Sequence, residues 1–377
     1  MATLYLGVGA GPAGKELVAL KVIKEGLAGD DVYEAMFLDE ARILSMLGHP
    51  NVIRTHEYGI TKGGHPFIAM ELLLGRTLAD AWDLHAEEGG RMPLALGTWI
   101  CARVAEGLHS AHALRDEEGA LLQVIHRDVN PSNVFLTYDG RVKLIDFGLS
   151  RARRRSSKTG DGIVKGKIPY LAPEQATRGP IDRRVDIFAL GATLWEVCTG
   201  RRLFKRETDA ETLQAVRDAD IPDVHTLRPD VPEPLAKIVR RALAIDPDAR
   251  YGTAAELHRD LDALGPPPSP ASPEQALVAY LEERFPGERE RQLAWVETAS
   301  AQRKSMATLA PPVPIGLDTA DGASPGPHTK LPTSAITGAF PAQQDPPPPR
   351  FNRRARQAAL VVALALAVGI ATALTLR

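Results

Sequence analysis

The period of the apolar positions changes along this chain. Residues 2–8 and 18–23 are runs of aliphatic and β-branched side chains and predict two strands. A helical period over residues 32–47 predicts a helix. Strand-like runs return at 67–72, 134–136 and 142–145, and from about Ile187 onward the pattern is mostly helical. A small β-rich part leading into a larger helical part predicts an α+β layout with two lobes.

Polar punctuation divides the remainder. Residues 265–273 form a Pro-rich break that closes a globular body over residues 1–264. Residues 274–299 carry Leu277, Tyr280, Leu281 and Phe285 at helical spacing and predict a short helical appendix, expected to pack on the body. Residues 300–357 read as a tether: eleven prolines fall within positions 310–349, with few large apolar residues among them. Residues 358–376 carry no charge and, as a helix, would span roughly 28 Å, about one hydrocarbon core. Arg350, Arg353, Arg354 and Arg356 precede that segment, which predicts a single membrane helix with everything upstream on the cytoplasmic side. The first eleven residues have neither a basic stretch nor a long apolar one and do not read as a secretory signal.

Charge and cysteine content narrow the function classes. With 45 basic and 47 acidic residues in 377, the net charge is −2. That excludes a whole-chain basic nucleic-acid binder and an acidic disordered protein, and no nucleic-acid partner is expected. The two cysteines, Cys101 and Cys198, build neither a disulfide framework nor a Cys-based zinc site, and suit a reducing compartment.

The candidate chemistry lies in four ordered motifs. They are Val18-Ala19-Leu20-Lys21, then His126-Arg127-Asp128-Val129-Asn130-Pro131-Ser132-Asn133, then Asp146-Phe147-Gly148, then Ala172-Pro173-Glu174. Together they resemble the signature set of protein kinases, and the body resembles a bacterial eukaryotic-like (Hanks-type) serine/threonine protein kinase. The resemblance covers nearly all of residues 1–264 and implies a two-lobed kinase-like fold, with an N-lobe over about 1–71 and a C-lobe over about 72–264. Small-molecule phosphotransferases share the Asp-x4-Asn pattern, but Phe147-Gly148 with Ala172-Pro173-Glu174 favours a platform for a protein substrate.

The chemistry explains the residue types. Phosphoryl transfer from ATP needs positioning and charge neutralisation more than covalent help. By resemblance, Asp128 is the base that takes or orients the acceptor proton. Asn133 and Asp146 offer the hard oxygens that Mg2+ prefers. Lys21 serves the phosphates and is held by Glu40, with Glu34 as the alternative. Met70-Glu71-Leu72-Leu73 resembles the hinge that binds adenine through its backbone, Glu71 and Leu73 included, and Leu4, Ala19 and Phe135 stand where the family encloses the ring. Leu44, His126 and Phe147 resemble an apolar column. Asp186 resembles the buried aspartate that braces the catalytic loop, and Arg250 the partner of Glu174.

Three features depart from that pattern. The family's glycine-rich loop and first strand have no counterpart ahead of residues 2–8, which leaves two readings open: a start upstream of Met1, or a chain lacking part of its ATP lid. Gly9, Gly11 and Gly14 fit G-x-G-x-x-G by the letter, but Lys21 follows too closely for a phosphate loop, so residues 9–14 read as a flexible connection between strands. The lysine usual two residues after the catalytic aspartate is Asn130 here, and Lys167 stands where threonine is usual. One reading moves the missing cation to Lys167, as a catalytic residue reaching over Asp128; the other leaves Lys167 in solvent. Finally, residues 150–159 are rich in arginine. A phosphate on Ser156, Ser157 or Thr159 could pair with Arg127, or the run could be a solvated loop.

The expectation is therefore a serine/threonine protein kinase using ATP and Mg2+ on protein substrates, anchored singly in the inner (plasma) membrane with its kinase domain cytoplasmic. Ala359, Ala363, Ala367 and Ala371 are spaced for helix pairing and are compatible with a homodimer. The competing expectation is a non-catalytic kinase-fold scaffold at the membrane.

Overall fold

The computed structural model describes residues 2–11, 14–24, 30–61, 63–147, 168–177, 179–267 and 272–309. The chain divides into two compact units, one of residues 1–26, 56–72 and 290–377, the other of 27–55 and 73–289. Residues 310–377, which include the expected tether and membrane segment, lie outside the described residues, as does 148–167. Among the described residues no helix is long and apolar enough to cross a membrane.

The smaller unit holds a four-stranded sheet. Its strands are β1 (Ala2–Gly11), β2 (Gly14–Ile23), β3 (Thr55–Ile60) and β4 (Pro66–Glu71), in the order β1-β2-β4-β3. β4 is interior and reads as an apolar run because both its faces are covered: Ile68 and Ala69 are fully buried. Val18, Leu20, Phe67 and Ala69 cluster on one face of the sheet. Residues 9–14 are not the loose connection expected. The β1–β2 ladder continues through Gly9↔Glu16 and Ala10↔Lys15 to Gly11↔Gly14, leaving only positions 12 and 13 between the strands. Hairpin pairing here overrides the low strand propensity of Gly and Ala.

The larger unit begins with α1 (Asp31–Met46), capped by Asp30, whose side chain accepts from Val32 N at 3.0 Å. Leu44 and Leu47 of α1 pack with Val52, Ala111, Val124 and Phe147. Then come β5 (Gly75–Thr77), α2 (Leu78–Glu88) and α3 (Leu94–His112). Strands β6 (Val134–Thr137) and β7 (Val142–Leu144) pair antiparallel, and β5 adds to β6 in the order β5-β6-β7. The helical remainder is α4 (Pro173–Ala176), α5 (Arg184–Thr199), α6 (Asp209–Asp218), α7 (Val224–Leu227), α8 (Glu233–Ala242) and α9 (Ala254–Asp262). α5 is buried on every side from Val185 to Thr199, so it is the central post of this unit. Gly191 permits that packing: a Cβ there would stand 2.9 Å from Ala242 Cβ.

The segment after the Pro-rich break forms two helices, not one. α10 (Pro273–Arg284) starts with a Ser272–Gln275 capping box and buries Leu277, Tyr280 and Leu281 in the core of the larger unit. α11 (Glu288–Leu309) follows and runs beyond residue 299.

Candidate active site

The catalytic-loop residues hang from α5. Asp186, in its first turn and 1% exposed, accepts the backbone N–H of His126 at 2.8 Å and of Arg127 at 2.7 Å. His112 Nε2, at the end of α3, stands 2.8 Å from the same carboxylate. Burial alone would push the Asp186 carboxyl up, but the His112 contact, the His126 charge interaction and the Arg127 N–H hold it below the usual carboxylate range. Arg127 takes a φ of +61° and Asp146 a φ of +55°, left-handed values that non-glycine residues adopt at some cost. The loop is thus pinned at both ends: by Asp186 before Asp128, and by Ile145 N donating to Asn133 O at 3.0 Å after it.

Between those pins the side chains converge on Asp128. Asn133 Nδ2 donates to Asp128 Oδ2 at 2.9 Å and to Asp128 O at 2.8 Å. Asn130 Nδ2 donates to Asp128 O at 2.7 Å and to Asp128 Oδ1 at 3.3 Å. His126 is fully buried, accepts the Asp128 N–H on Nδ1 at 3.2 Å and packs against Phe147 with ring centroids 4.4 Å apart and planes tilted by 38°. Burial pushes the His126 pKa down, against the opposing pull of Asp186 and Asp128. β6 and β7 bring the second carboxylate alongside. Val134 pairs with Leu144, so Asn133 lies across from Ile145, and Asp146 is the next residue.

The loop after α1 is tied to the same hairpin. Leu144 N donates to Asn51 O at 2.8 Å, Ile53 N to Leu144 O at 2.9 Å, and Asn51 Nδ2 to Val142 O at 2.9 Å. Glu40 is 3% exposed on α1, in this larger unit. Leu44 and Phe147 share a cluster, and Phe147 contacts His126, so the three expected column residues come together.

Lys21, Leu4, Ala19 and Glu71 belong to the smaller unit. Lys21 pairs with Leu4 on one side and Ile68 on the other, and Ala19 with Leu6 and Met70, so Leu4, Ala19 and Lys21 share a sheet face. The chain crosses between the units at Leu72–Leu73, within the expected hinge. Leu73 and Phe135 lie in the larger unit, where Phe135 pairs with Thr77 and Lys143. Lys167, Gly148 and the candidate phosphate acceptors Ser156, Ser157 and Thr159 lie outside the described residues.

Glu174 and Arg250 form a two-pronged ion pair: Nη1 to Oε1 is 2.6 Å and Nη2 to Oε2 is 2.9 Å. Two arrangements had no counterpart in the sequence reading. One is the His112–Asp186 contact, which links residues 74 positions apart. The other is a buried cluster in which Glu196 accepts from Tyr170 Oη at 2.8 Å and from Arg202 at 2.9 Å, while the Arg202 guanidinium lies 3.7 Å from the centroid of the Trp82 ring.

This geometry agrees with what the chain is similar to. The family model for the protein kinase domain matches residues 10–261. A Myxococcus xanthus protein described as tyrosine-protein kinase MasK is 38% identical over 290 residues, covering 77% of this chain and 45% of that protein. Serine/threonine-protein kinase PknL of Mycobacterium tuberculosis is 34% identical over 247 residues, covering 66% of this chain and 59% of the relative. The crystal structure of the Mycobacterium tuberculosis PknI kinase domain aligns with a TM-score of 0.50 at 26% identity, covering 70% of this chain and 92% of that one. The chain spans about half the length of the curated relatives it matches. With two thirds of its residues inside the matched span and Asp128, Asn133 and Asp146 gathered on one loop and hairpin, the chain belongs to the protein kinase family.

Proposed function

We propose that this chain is a protein serine/threonine kinase that moves the γ-phosphoryl group of ATP to a protein hydroxyl. The carrying observation is the held Asp128 carboxylate, with Asn133 bonded to one of its oxygens and Asp146 presented by the adjoining hairpin. In the reaction the acceptor oxygen bonds to the γ-phosphorus and the bond from that phosphorus to the β,γ-bridging oxygen breaks. The bridging electrons leave with ADP, and the acceptor's proton passes to Asp128. Lys21 binds the ATP phosphates in this reading. Leu4 and Ala19, on the sheet face of Lys21, serve the adenine.

The donor set suits Mg2+. Asn133 turns its amide nitrogen to Asp128, so its oxygen is the atom offered to a metal, and Asp146 adds a carboxylate. Among the described residues no three acidic, His or Cys side chains form a metal cage. Two hard oxygens fit a cation that keeps several waters and completes its shell with substrate phosphates. Bound there, the ion would neutralise phosphate charge.

The acceptor class has a second reading. The relative described as a tyrosine kinase is matched over 77% of this chain, and position 130 lacks the lysine usual in serine/threonine kinases. Phosphoamino-acid analysis after incubation with Mg2+ and labelled ATP separates the two. Phosphoserine or phosphothreonine, lost in Asp128→Ala, supports the first reading; phosphotyrosine alone replaces it. In the whole protein, residues 358–376 would anchor the kinase to the inner membrane with its catalytic part cytoplasmic and bring copies together as a homodimer. Fractionation of cells making the chain with and without that segment tests the anchor.

A further inference from the structure

We infer that Asn130 is a positioning residue for Asp128: a neutral amide that holds one oxygen of the Asp128 carboxylate while Asn133 holds the other. The inference rests on the kinase reading, since it concerns the aim of the proton acceptor.

The orientation of the Asn130 amide follows from its neighbours. Ser132 N donates to Asn130 Oδ1 at 3.0 Å, so the amide oxygen must face that N–H. The nitrogen then faces Asp128, at 2.7 Å from its carbonyl oxygen and 3.3 Å from Oδ1. Asn133 supplies the matching pair of bonds to the same carbonyl and to Oδ2. Asn130 and Asn133 are each 4% exposed, so neither amide turns freely.

A carboxylate rotates about a broad, nearly two-fold torsion. Donors fixed on both oxygens remove that freedom and aim the remaining lone pairs. Aim matters because proton transfer and attack depend on near-attack geometry. A lysine at this position would bring a charge and a flexible stem. Asn130 brings a short donor locked by Ser132, and no charge for the γ-phosphate. Its effect therefore belongs in kcat and not in ATP binding.

The competing account is that Asn130 only caps the short turn Pro131–Asn133, through the Ser132 N–H. Two variants of the full chain separate the accounts. Asn130→Ala loses cap and donor; Asn130→Asp keeps the cap oxygen and loses the donor. Steady-state kinetics with Mg-ATP should show kcat down about tenfold or more in Asn130→Ala, the worth of one lost hydrogen bond, with KM for ATP within about twofold of wild type. Asn130→Asp should not recover kcat. Recovery by Asn130→Asp, an unchanged kcat in Asn130→Ala, or an effect confined to KM for ATP would overturn the inference.

A second measurement does not depend on turnover. The side-chain carboxyl carbon of Asp128, assigned by its loss in Asp128→Asn, is followed by NMR in Asn130→Ala and Asn130→Asp. A shifted or broadened resonance in both variants is expected. If the wild-type chain transfers no phosphate, the kinase reading fails and this resonance alone decides; an unmoved signal rejects the positioning role.

Discussion

Asp186 accepts the backbone N–H of Arg127 at 2.7 Å, and Arg127 makes that bond with a φ of +61°. A buried carboxylate on the central helix thus holds a catalytic-loop residue in a backbone conformation that side chains disfavour. The His126 N–H and His112 Nε2 share the same carboxylate, so one group fixes the entry to Asp128.

Replacing Asp186 by Asn tests that arrangement. The amide keeps the shape but turns an NH2 toward one of three donors. Unfolding should become easier by about 2 kcal/mol, the cost of a buried donor left unmet. The kcat should fall more than KM for ATP, because the loop that carries Asp128 loses its anchor. Denaturant titration and steady-state kinetics on the same sample check both. Unaltered kcat with the full loss of stability would confine Asp186 to the fold.

Arg250→Lys is expected to be far from conservative. The guanidinium meets both oxygens of Glu174, donates to Ala244 O and Ile245 O, and lies 4.7 Å from the centroid of the Phe188 ring. An ammonium keeps the charge but not the planar fork. With the Arg250 side chain fully buried, a loss of about 3 kcal/mol is expected, as for breaking a buried pair, and chemical denaturation measures it.

Much of the site was legible because its residues are contiguous. Asp128, Asn130 and Asn133 lie within six positions, and Asp146-Phe147-Gly148 begins thirteen residues after Asn133. What escaped was nonlocal. β5 has three residues, too few for a period, and exists because Gly75–Thr77 pairs with residues 135–137. His112 gives no local signal of its partner 74 positions on. The ladder through Gly9–Gly14 escaped for the opposite reason: weak strand formers spelled a loop motif, and cross-strand pairing decided otherwise.

Acidification should loosen the larger unit. Burial is the leading cause that sets His49, His85, His109 and His126 below 6.5, their ordinary value. A histidine with a lowered folded pKa is protonated more readily when unfolded, so stability is full above about 6.5 and declines as pH falls below it. Glu196 acts in the other sense: burial raises its carboxyl above 4.5, so its contribution weakens as pH rises from there and offsets part of the slope. The thermal midpoint should therefore drop between pH 7.5 and about 5.5. A midpoint that rises over that range contradicts histidine pKa values lowered by burial.

The helix that follows the family-matched residues is expected to be part of the stable fold. α10 places Leu277 and Leu281, both fully buried, in the core of the larger unit. Its Tyr280 Oη lies 2.8 Å from His85 Nε2 on α2, and Arg284 bonds Glu88 at 2.8 Å. Just beyond, Arg76 of β5 meets Glu288 at 2.7 Å and the Phe285 ring at 5.2 Å. These contacts reach β5, the strand that pairs with β6 next to Asn133. Tyr280→Phe removes one buried hydrogen bond and should cost about 1 kcal/mol. A chain ending at Pro267 forfeits the burial of Leu277, Tyr280 and Leu281 and should lose several times that, about 4.5–9 kcal/mol at ~1.5–3 kcal/mol each. Urea titrations of the three proteins give the comparison. Equal midpoints for the shortened and full chains would show that α10 only rests on the kinase body, whereas a large loss from the truncation with a small one from Tyr280→Phe makes α10 part of its core.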